Sequence, residues 1–150
     1  MGFFSKLFGK KTSQVESLNY QPKTNKNTIT IVNQDVSPIE GKQTWEYSEE
    51  KKHDLECMKK CCDAELKTME ESGVAPAPYY FERVAILSRK NKNFQQEVDY
   101  CELYISALEK FYKNKRKRGI ADIRKGPRYQ AIVKRLPKAK ELLSKSIKTV

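Results

Sequence analysis

Apolar residues recur at three- and four-residue steps along most of the chain after residue 47, which is the period of an α-helix with one buried face. The first such segment spans residues 48–72, and its apolar positions are Leu55, Met58, Cys62, Leu66 and Met69. Ser48 is a suitable N-cap because two glutamates follow it in the first turn. Gly73 can close the helix at its C-terminus. The pattern therefore predicts one long helix over 48–72.

Two more helices are predicted at 79–91 and 94–113, separated by the polar run at residues 91–93. The first carries apolar or small residues on adjoining faces, namely Tyr80, Phe81, Val84, Ala85, Leu87 and Ser88. The second carries two apolar stripes, of which one is Phe94, Val98, Cys101, Ile105, Leu108 and Tyr112 and the other is Tyr100, Tyr104, Ala107 and Phe111. Because so wide an apolar arc cannot all face water, we expect this helix to be packed on more than one side.

Part of this helical pair shares its pattern with a known repeat. The shared positions are Phe81, Val84, Ala85, Phe94, Val98 and Ile105. In these positions residues 77–108 resemble one tetratricopeptide repeat, a helix–turn–helix unit of about 34 residues. Glu97 and Tyr104 stand where that family has small residues. The resemblance implies a peptide- or protein-binding scaffold without catalysis, and an ordinary helical bundle with the same spacing is the alternative.

A fourth helix is predicted at 128–148, with Pro127 as a favourable residue at its start. Its apolar stripe consists of Tyr129, Ile132, Val133, Leu136, Ala139, Leu143 and Ile147. Pro137 lies inside this stripe, so we expect it to kink the helix or to start a new one. Together with 48–72, this helix would extend the repeat into a short solenoid-like stack.

The first 43 residues differ in composition from the rest, being rich in Asn, Thr, Gln, Ser and Lys. They predict a partly disordered N-terminal arm. Residues 28–32 are β-branched throughout and predict a short strand. Residues 1–11 place four large apolar side chains among lysines at helical spacing. We expect this segment to dock on the protein's own core, and contact with an anionic membrane surface is the alternative.

These patterns predict a mostly all-α protein, built as a small helical bundle or a short solenoid-like stack. The chain divides into the arm at 1–43, a helical core at 44–113 and a basic C-terminal helical extension at 114–150 that packs on the core. Its four cysteines are too few and too clustered for a disulfide scaffold. No apolar run reaches the roughly 18 residues of a membrane span. The expected compartment is therefore the reducing cytoplasm.

Charge is distributed unevenly along the 150 residues. The chain holds 30 Lys and Arg against 19 Asp and Glu, a net charge of +11. Residues 1–109 hold 15 basic and 17 acidic side chains, whereas residues 110–150 hold 15 basic and 2 acidic ones. The whole positive excess therefore lies in the C-terminal segment. A field of this kind attracts polyanions or acidic protein surfaces.

The basic segment is the strongest functional signal in the sequence. The predicted contacts to an anionic partner are Lys115, Arg116, Lys117, Arg118, Arg124, Lys125, Arg128, Lys134, Arg135 and Lys138. Such side chains neutralise phosphates without reading a base sequence, and the interleaved Tyr112 and Tyr129 could stack on bases. Two other interpretations stay open: a solvated face that only keeps the protein soluble, and pairing with the acidic residues of 46–71 within the chain or between copies.

Side chains that could hold a metal or act as nucleophiles are sparse. His53, Cys57 and Cys61 lie at four-residue steps, with Cys62 next to the last of them. Three such ligands span about 12 Å of a straight helix, which is too far for one zinc ion. The chain has one histidine, and its six glycines form no phosphate-binding loop. Cys101 lies on an apolar stripe and is expected to be buried. We therefore predict no metal, no cofactor and no enzymatic activity.

These observations favour a non-enzymatic interaction module, an adaptor or modulator. It would bind a protein partner through its helical surface and an anionic partner through its basic C-terminal region. The alternative is nucleic-acid binding by residues 110–148 on the phosphate backbone. Self-association is a further expectation, and a metal- or thiol-dependent enzyme around Cys57 and Cys61 is the third hypothesis.

Overall fold

The computed structural model describes residues 39–114 and 121–149. Five α-helices account for most of them: α1 (Thr44–Glu50), α2 (Leu55–Ser72), α3 (Pro78–Lys90), α4 (Phe94–Asn114) and α5 (Pro127–Lys148). A short 3₁₀ turn, Ile123–Lys125, precedes α5. These two ranges contain no β-strand, so the predicted all-α fold is confirmed for them.

Several predictions made for the N-terminal arm concern other residues. The strand at 28–32 and the apolar segment at 1–11 lie outside the described residues. The division of the chain at 43 and 113 stays a prediction.

The predicted single helix over 48–72 is wrong at its N-terminal end. The chain leaves α1 in a turn at residues 51–53 and begins a second helix after it. Ser48, the predicted N-cap, lies inside α1, where its hydroxyl donates a hydrogen bond to the carbonyl of Trp45. The glutamates after Ser48 therefore belong to the end of a short helix and not to the start of a long one.

Both ends of α2 have a local physical cause. Asp54 is its N-cap, because a carboxylate oxygen of Asp54 accepts a 3.0 Å hydrogen bond from the backbone N–H of Cys57. A short side chain that satisfies the first turn in this way favours a new helix start over a continuous helix. At the other end Gly73 adopts the left-handed conformation, with φ of 65°, and its N–H bonds to the Met69 carbonyl.

The buried face of α2 lies to one side of the predicted stripe. Its buried residues are Met58, Cys61, Cys62, Ala64, Glu65 and Thr68. Leu55, Leu66 and Met69 are only half-buried. The difference arises because α2 packs on both α1 and α3, so the interior includes two polar positions that an apolar pattern leaves out.

Glu65 is the hydrogen-bonding centre of this interior. One carboxylate oxygen accepts a 2.9 Å hydrogen bond from the Thr44 hydroxyl, and the other accepts a 2.9 Å hydrogen bond from the Ala77 backbone N–H. The side chain therefore joins α1, α2 and the entry to α3. Burial raises the pKa of Glu65 above its usual range, although both hydrogen bonds favour the ionised form.

The α3–α4 hairpin forms where the sequence predicts it. Pro78 occupies the first turn of α3. The rings of Phe81 and Tyr104 pack with centroids 4.6 Å apart, and the Tyr104 hydroxyl donates a 2.9 Å hydrogen bond to the Pro76 carbonyl. Tyr104 and Glu97, the two positions that differ from the repeat pattern, are both fully buried.

Helix α5 packs on α3 and α4 and continues through Pro137 without a new start. Its buried residues are Tyr129, Ile132 and Ala139. Pro137 is exposed, so water can hydrogen-bond the backbone carbonyl that loses its amide donor there. Of the two alternatives predicted for Pro137, a kink or a new helix start, the new helix start is therefore wrong.

The environment of Glu65 predicts a pH dependence of stability. Because the pKa of Glu65 is raised by folding, the folded state holds its proton more tightly than the unfolded chain. Its contribution to the free energy of unfolding is therefore greatest at acid pH and is lost as pH rises through the raised pKa. We expect the stability of the native protein relative to Glu65→Gln to fall from acid to neutral pH, measured by urea unfolding. A difference that stays constant or grows with pH would contradict this.

Candidate anionic-partner surface

The structure describes six of the ten basic residues predicted to meet an anionic partner. These six are Arg124, Lys125, Arg128, Lys134, Arg135 and Lys138. The other four, at residues 115–118, lie outside the described residues. The six belong to the 3₁₀ turn and α5, but they fall into two chemically different groups.

The first group consists of arginines that are already paired at the start of α5. Arg124 contacts the Asp122 carboxylate at 2.8 Å, and its guanidinium lies over the Tyr112 ring at 4.5 Å from the centroid. Hydrogen bonds from Arg124 lower the pKa of Asp122. Arg128 likewise pairs with Glu82 of α3 at 2.7 Å and lies over the ring of Tyr79. Both guanidinium groups are therefore held in place by the protein itself.

The two tyrosines predicted to stack on bases have structural contacts instead. The Tyr112 hydroxyl accepts a 2.9 Å hydrogen bond from the backbone N–H of Ile123, and Arg124 covers one face of its ring. Tyr129 is only 9% exposed, and its ring lies 6.2 Å from that of Tyr104 in the core. The Tyr129 ring is therefore buried, and one face of the half-buried Tyr112 ring is covered.

Arg135 belongs to a buried ionic triad that sequence reasoning missed. Glu97 is fully buried, and both Arg135 and Arg89 approach its carboxylate at 2.8 Å. Arg89 lies at the end of α3 and Arg135 in the middle of α5, so one carboxylate links three helices. One feature of the sequence could have revealed the triad: a glutamate lies inside the apolar stripe of α4. A buried glutamate needs a charged partner.

The second group is formed by the lysines, namely Lys125 in the 3₁₀ turn and Lys134 and Lys138 on the outward face of α5, where Lys145, outside the predicted set, continues the row. Lys134, Lys138 and Lys145, together with Glu141, follow one another at steps of four, three and four residues, and all four are exposed. We call the three lysines the outer lysine stripe. Glu141 lies between Lys138 and Lys145 and pairs with both, and these ammonium groups lower its pKa to about 2.

Lys134 and Lys125 differ from their neighbours in having no carboxylate partner within the described ranges. Both are exposed. Within residues 121–149 there are nine basic and two acidic side chains. The free positive charge of this part of the molecule is therefore carried mainly by lysines, while its arginines hold α5 on the bundle.

Three of the four thiols are buried, whereas the histidine is exposed. Cys61, Cys62 and Cys101 are buried, and burial raises the pKa of Cys61 to about 12 and that of Cys101 to about 11. His53 lies in the exposed turn before α2, where its Nδ1 is 3.4 Å from Arg83. No group of three or more metal-ligating side chains occurs in the described part of the chain.

Comparison of the chain with protein-family models, with curated proteins and with solved structures found no match. The structure itself is a compact bundle of five helices, which is compatible with a helical repeat. Among residues 39–114 and 121–149, no helix combines the length and the apolar character needed to cross a bilayer.

The Glu97 triad predicts a large loss of stability when its carboxylate is removed. Glu97→Gln leaves two guanidinium groups without their anion, so we expect the free energy of unfolding to fall on the order of 3 kcal/mol. Glu109→Gln is the matched control on the exposed face of the same helix and should change stability by less than about 0.5 kcal/mol. Urea unfolding of both variants tests this. Equal losses in the free energy of unfolding would contradict the assigned role of the triad, because removing its carboxylate would then cost no more than removing an exposed one.

The burial of the thiols predicts slow alkylation of the folded protein. Cys57 is half-buried, whereas the other three cysteines are buried. Burial also raises the pKa values of all four thiols, so little reactive thiolate is present at neutral pH. We expect iodoacetamide to modify Cys57 first and the others only after unfolding in guanidinium chloride, as measured by mass spectrometry. Fast labelling of Cys61 or Cys101 in the native state would refute the assigned packing.

Proposed function

We propose that this protein is a non-enzymatic binding module that uses the outer lysine stripe of α5 to hold an acidic segment of a protein partner. The observation that carries this proposal is that the arginines and the lysines of this region have different surroundings. The described arginines of the region, Arg124, Arg128 and Arg135, are engaged by carboxylates that lie outside α5, while the three stripe lysines are exposed and have only Glu141 between two of them.

The paired arginines support this function by fixing the orientation of α5. Arg128 ties the first turn of the helix to α3, and Arg135 ties its middle to Glu97. A third ion pair, Lys140 to Glu102 at 2.6 Å, joins α5 to α4. Helix α5 is therefore held at several points, so its outward face is already ordered. Binding of a partner there costs little further conformational entropy of the helix.

The chemistry of the open face favours a carboxylate-rich protein over a nucleic acid. Lysine ammonium groups are point charges that pair with carboxylates and phosphates alike, so the preference depends on the groups beside them. Glu141 also neutralises part of the stripe and would repel a continuous phosphate backbone. An acidic helix or loop, with carboxylates spaced apart, can place its charges against Lys134 and the free sides of its neighbours.

The tetratricopeptide-like hairpin gives this proposal a second support. The helix–turn–helix pattern over residues 77–108 implies a scaffold for peptide or protein binding, and α3 and α4 form such a hairpin at the centre of the bundle. Stacked helices in scaffolds of this type present extended surfaces to their partners.

Nucleic-acid binding is the second candidate function. It is favoured by the net charge of residues 110–150, where 15 basic side chains face only 2 acidic ones. A double-stranded nucleic acid requires no stacking tyrosine, since contacts to its backbone supply the non-specific affinity.

Two probes distinguish these functions: poly-L-glutamate for an acidic protein and a mixed-sequence DNA duplex. A triple variant, Lys134→Glu, Lys138→Glu and Lys145→Glu, should weaken poly-L-glutamate binding by about tenfold or more, because each exposed pair contributes on the order of 0.5 kcal/mol and each reversal adds repulsion. Fluorescence anisotropy at fixed salt measures both affinities.

The matched control reverses three exposed lysines elsewhere: Lys51→Glu, Lys90→Glu and Lys110→Glu. It makes the same change in net charge and should weaken binding much less than the stripe variant does. Equal weakening by both variants would show that only net charge matters, and no binding of the native protein to poly-L-glutamate would refute the proposal. Tighter binding to the duplex than to poly-L-glutamate would favour the second candidate.

A further inference from the structure

The two most exposed large apolar side chains of the described residues lie in opposite electrostatic surroundings. Trp45 on α1 is 68% exposed and Ile147 on α5 is 67% exposed. Trp45 shares a helix face with Glu49, and Glu46 and Glu50 belong to the same short helix. Ile147 lies between basic residues. Each of these side chains leaves apolar area in water that contact with a partner would remove.

Ile147 lines a shallow, open groove on one face of α5 near its C-terminal end, and every described residue that lines it belongs to this helix. The groove has a volume of about 290 Å³ and is lined, among the described residues, by Lys140, Leu143, Ser144, Ile147 and Lys148. Its floor is apolar and its rim is cationic. A volume just below the range for small-ligand pockets suits one large side chain with acidic neighbours.

We propose that a second copy of this chain covers this groove, with Trp45 of one copy seated against Leu143 and Ile147 of the other. Charge complementarity supports the pairing, since residues 39–72 carry ten acidic and six basic side chains and residues 121–149 carry two acidic and nine basic ones. Glu50 and the exposed side of Glu49, which pairs with Lys52, would face Lys148 of the other copy and the free side of Lys140, which pairs with Glu102 of its own chain.

The positions of the two features in the bundle make a closed dimer feasible. The last turn of α1 and the turn that follows it contact the first half of α3, where the Tyr79 hydroxyl donates to the Ser48 carbonyl and Arg83 donates to the Lys52 carbonyl. The N-terminal turn of α5 contacts the same half of α3 through Arg128. The groove is at the other end of α5, so an antiparallel two-fold pair brings each Trp45 to the groove of its partner.

The apolar segment at residues 1–11 is a less suitable occupant. It carries Lys6, Lys10 and Lys11 and no carboxylate. Its charge therefore matches that of Lys140 and Lys148 at the groove rim, and like charges at close range repel. The acidic surroundings of Trp45 have the opposite and favourable sign.

Trp45 is the only tryptophan of the chain, so its fluorescence reports directly on the proposed contact. On dilution of the full-length protein through the millimolar to micromolar range, we expect the emission to shift to longer wavelength and quenching by acrylamide to increase. Analytical ultracentrifugation should show a dimer–monomer equilibrium over the same range, weakened by added salt.

Two variants test the residues, and a third provides the control. Trp45→Ala and Ile147→Ser should each weaken dimerisation by about tenfold or more, as expected for loss of an apolar anchor or its pocket. Leu103→Ser alters an exposed apolar residue of α4, 40% exposed, and should leave the equilibrium unchanged. Circular dichroism verifies that all three variants keep their helices.

Each remaining outcome decides against the proposal. A protein that stays monomeric at all concentrations with a fully quenchable Trp45 refutes it. Protection of Trp45 that does not depend on concentration would show that another part of the same chain covers it. A dimer that Ile147→Ser leaves intact would place the interface elsewhere.

Discussion

A single buried carboxylate organises the helices of this protein. Glu97 is removed from water, and Arg89 and Arg135 approach its carboxylate from two neighbouring helices. If α5 moved away, Arg135 would leave a buried charge undercompensated. The triad therefore fixes the position of α5 on the α3–α4 hairpin more specifically than apolar contact alone can do, since apolar packing tolerates changes of register.

This constraint also decides which basic residues are exposed on the outward face of α5. The arginines near α3 and α4 are drawn into ion pairs with Asp122, Glu82 and Glu97, two of them also in contact with tyrosine rings. On the opposite face of α5, the carboxylate that pairs with the lysines is mainly that of Glu141. A helix with so many positive charges is thus bound to the bundle by one side and open on the other. The two roles follow from where each carboxylate lies.

A second buried carboxylate has a similar role at the other end of the molecule. Glu65 joins α1 and α2 to the start of α3 through uncharged donors, and its pKa is raised, whereas Glu97 is held by cations. The bundle thus contains a buried polar contact at each of these two helix junctions. An apolar core alone would fix the relative positions of the helices less specifically. The predicted repeat pattern has small residues at the positions of Glu97 and Tyr104, and this chain instead fills them with groups that need defined partners.

The sequence by itself determined the helical class, the α3–α4 hairpin and the concentration of positive charge in the C-terminal segment, because periodicity and composition are local properties. It could not determine that Asp54 begins a new helix, since Ser48 and Asp54 are both good caps and only packing of α1 chooses between them. Nor could it separate paired arginines from free lysines, because Glu82 and Glu97 are distant from Arg128 and Arg135 in the chain. Only the tertiary structure brings those charges together. It also decides that Tyr129 is buried and Lys134 is exposed.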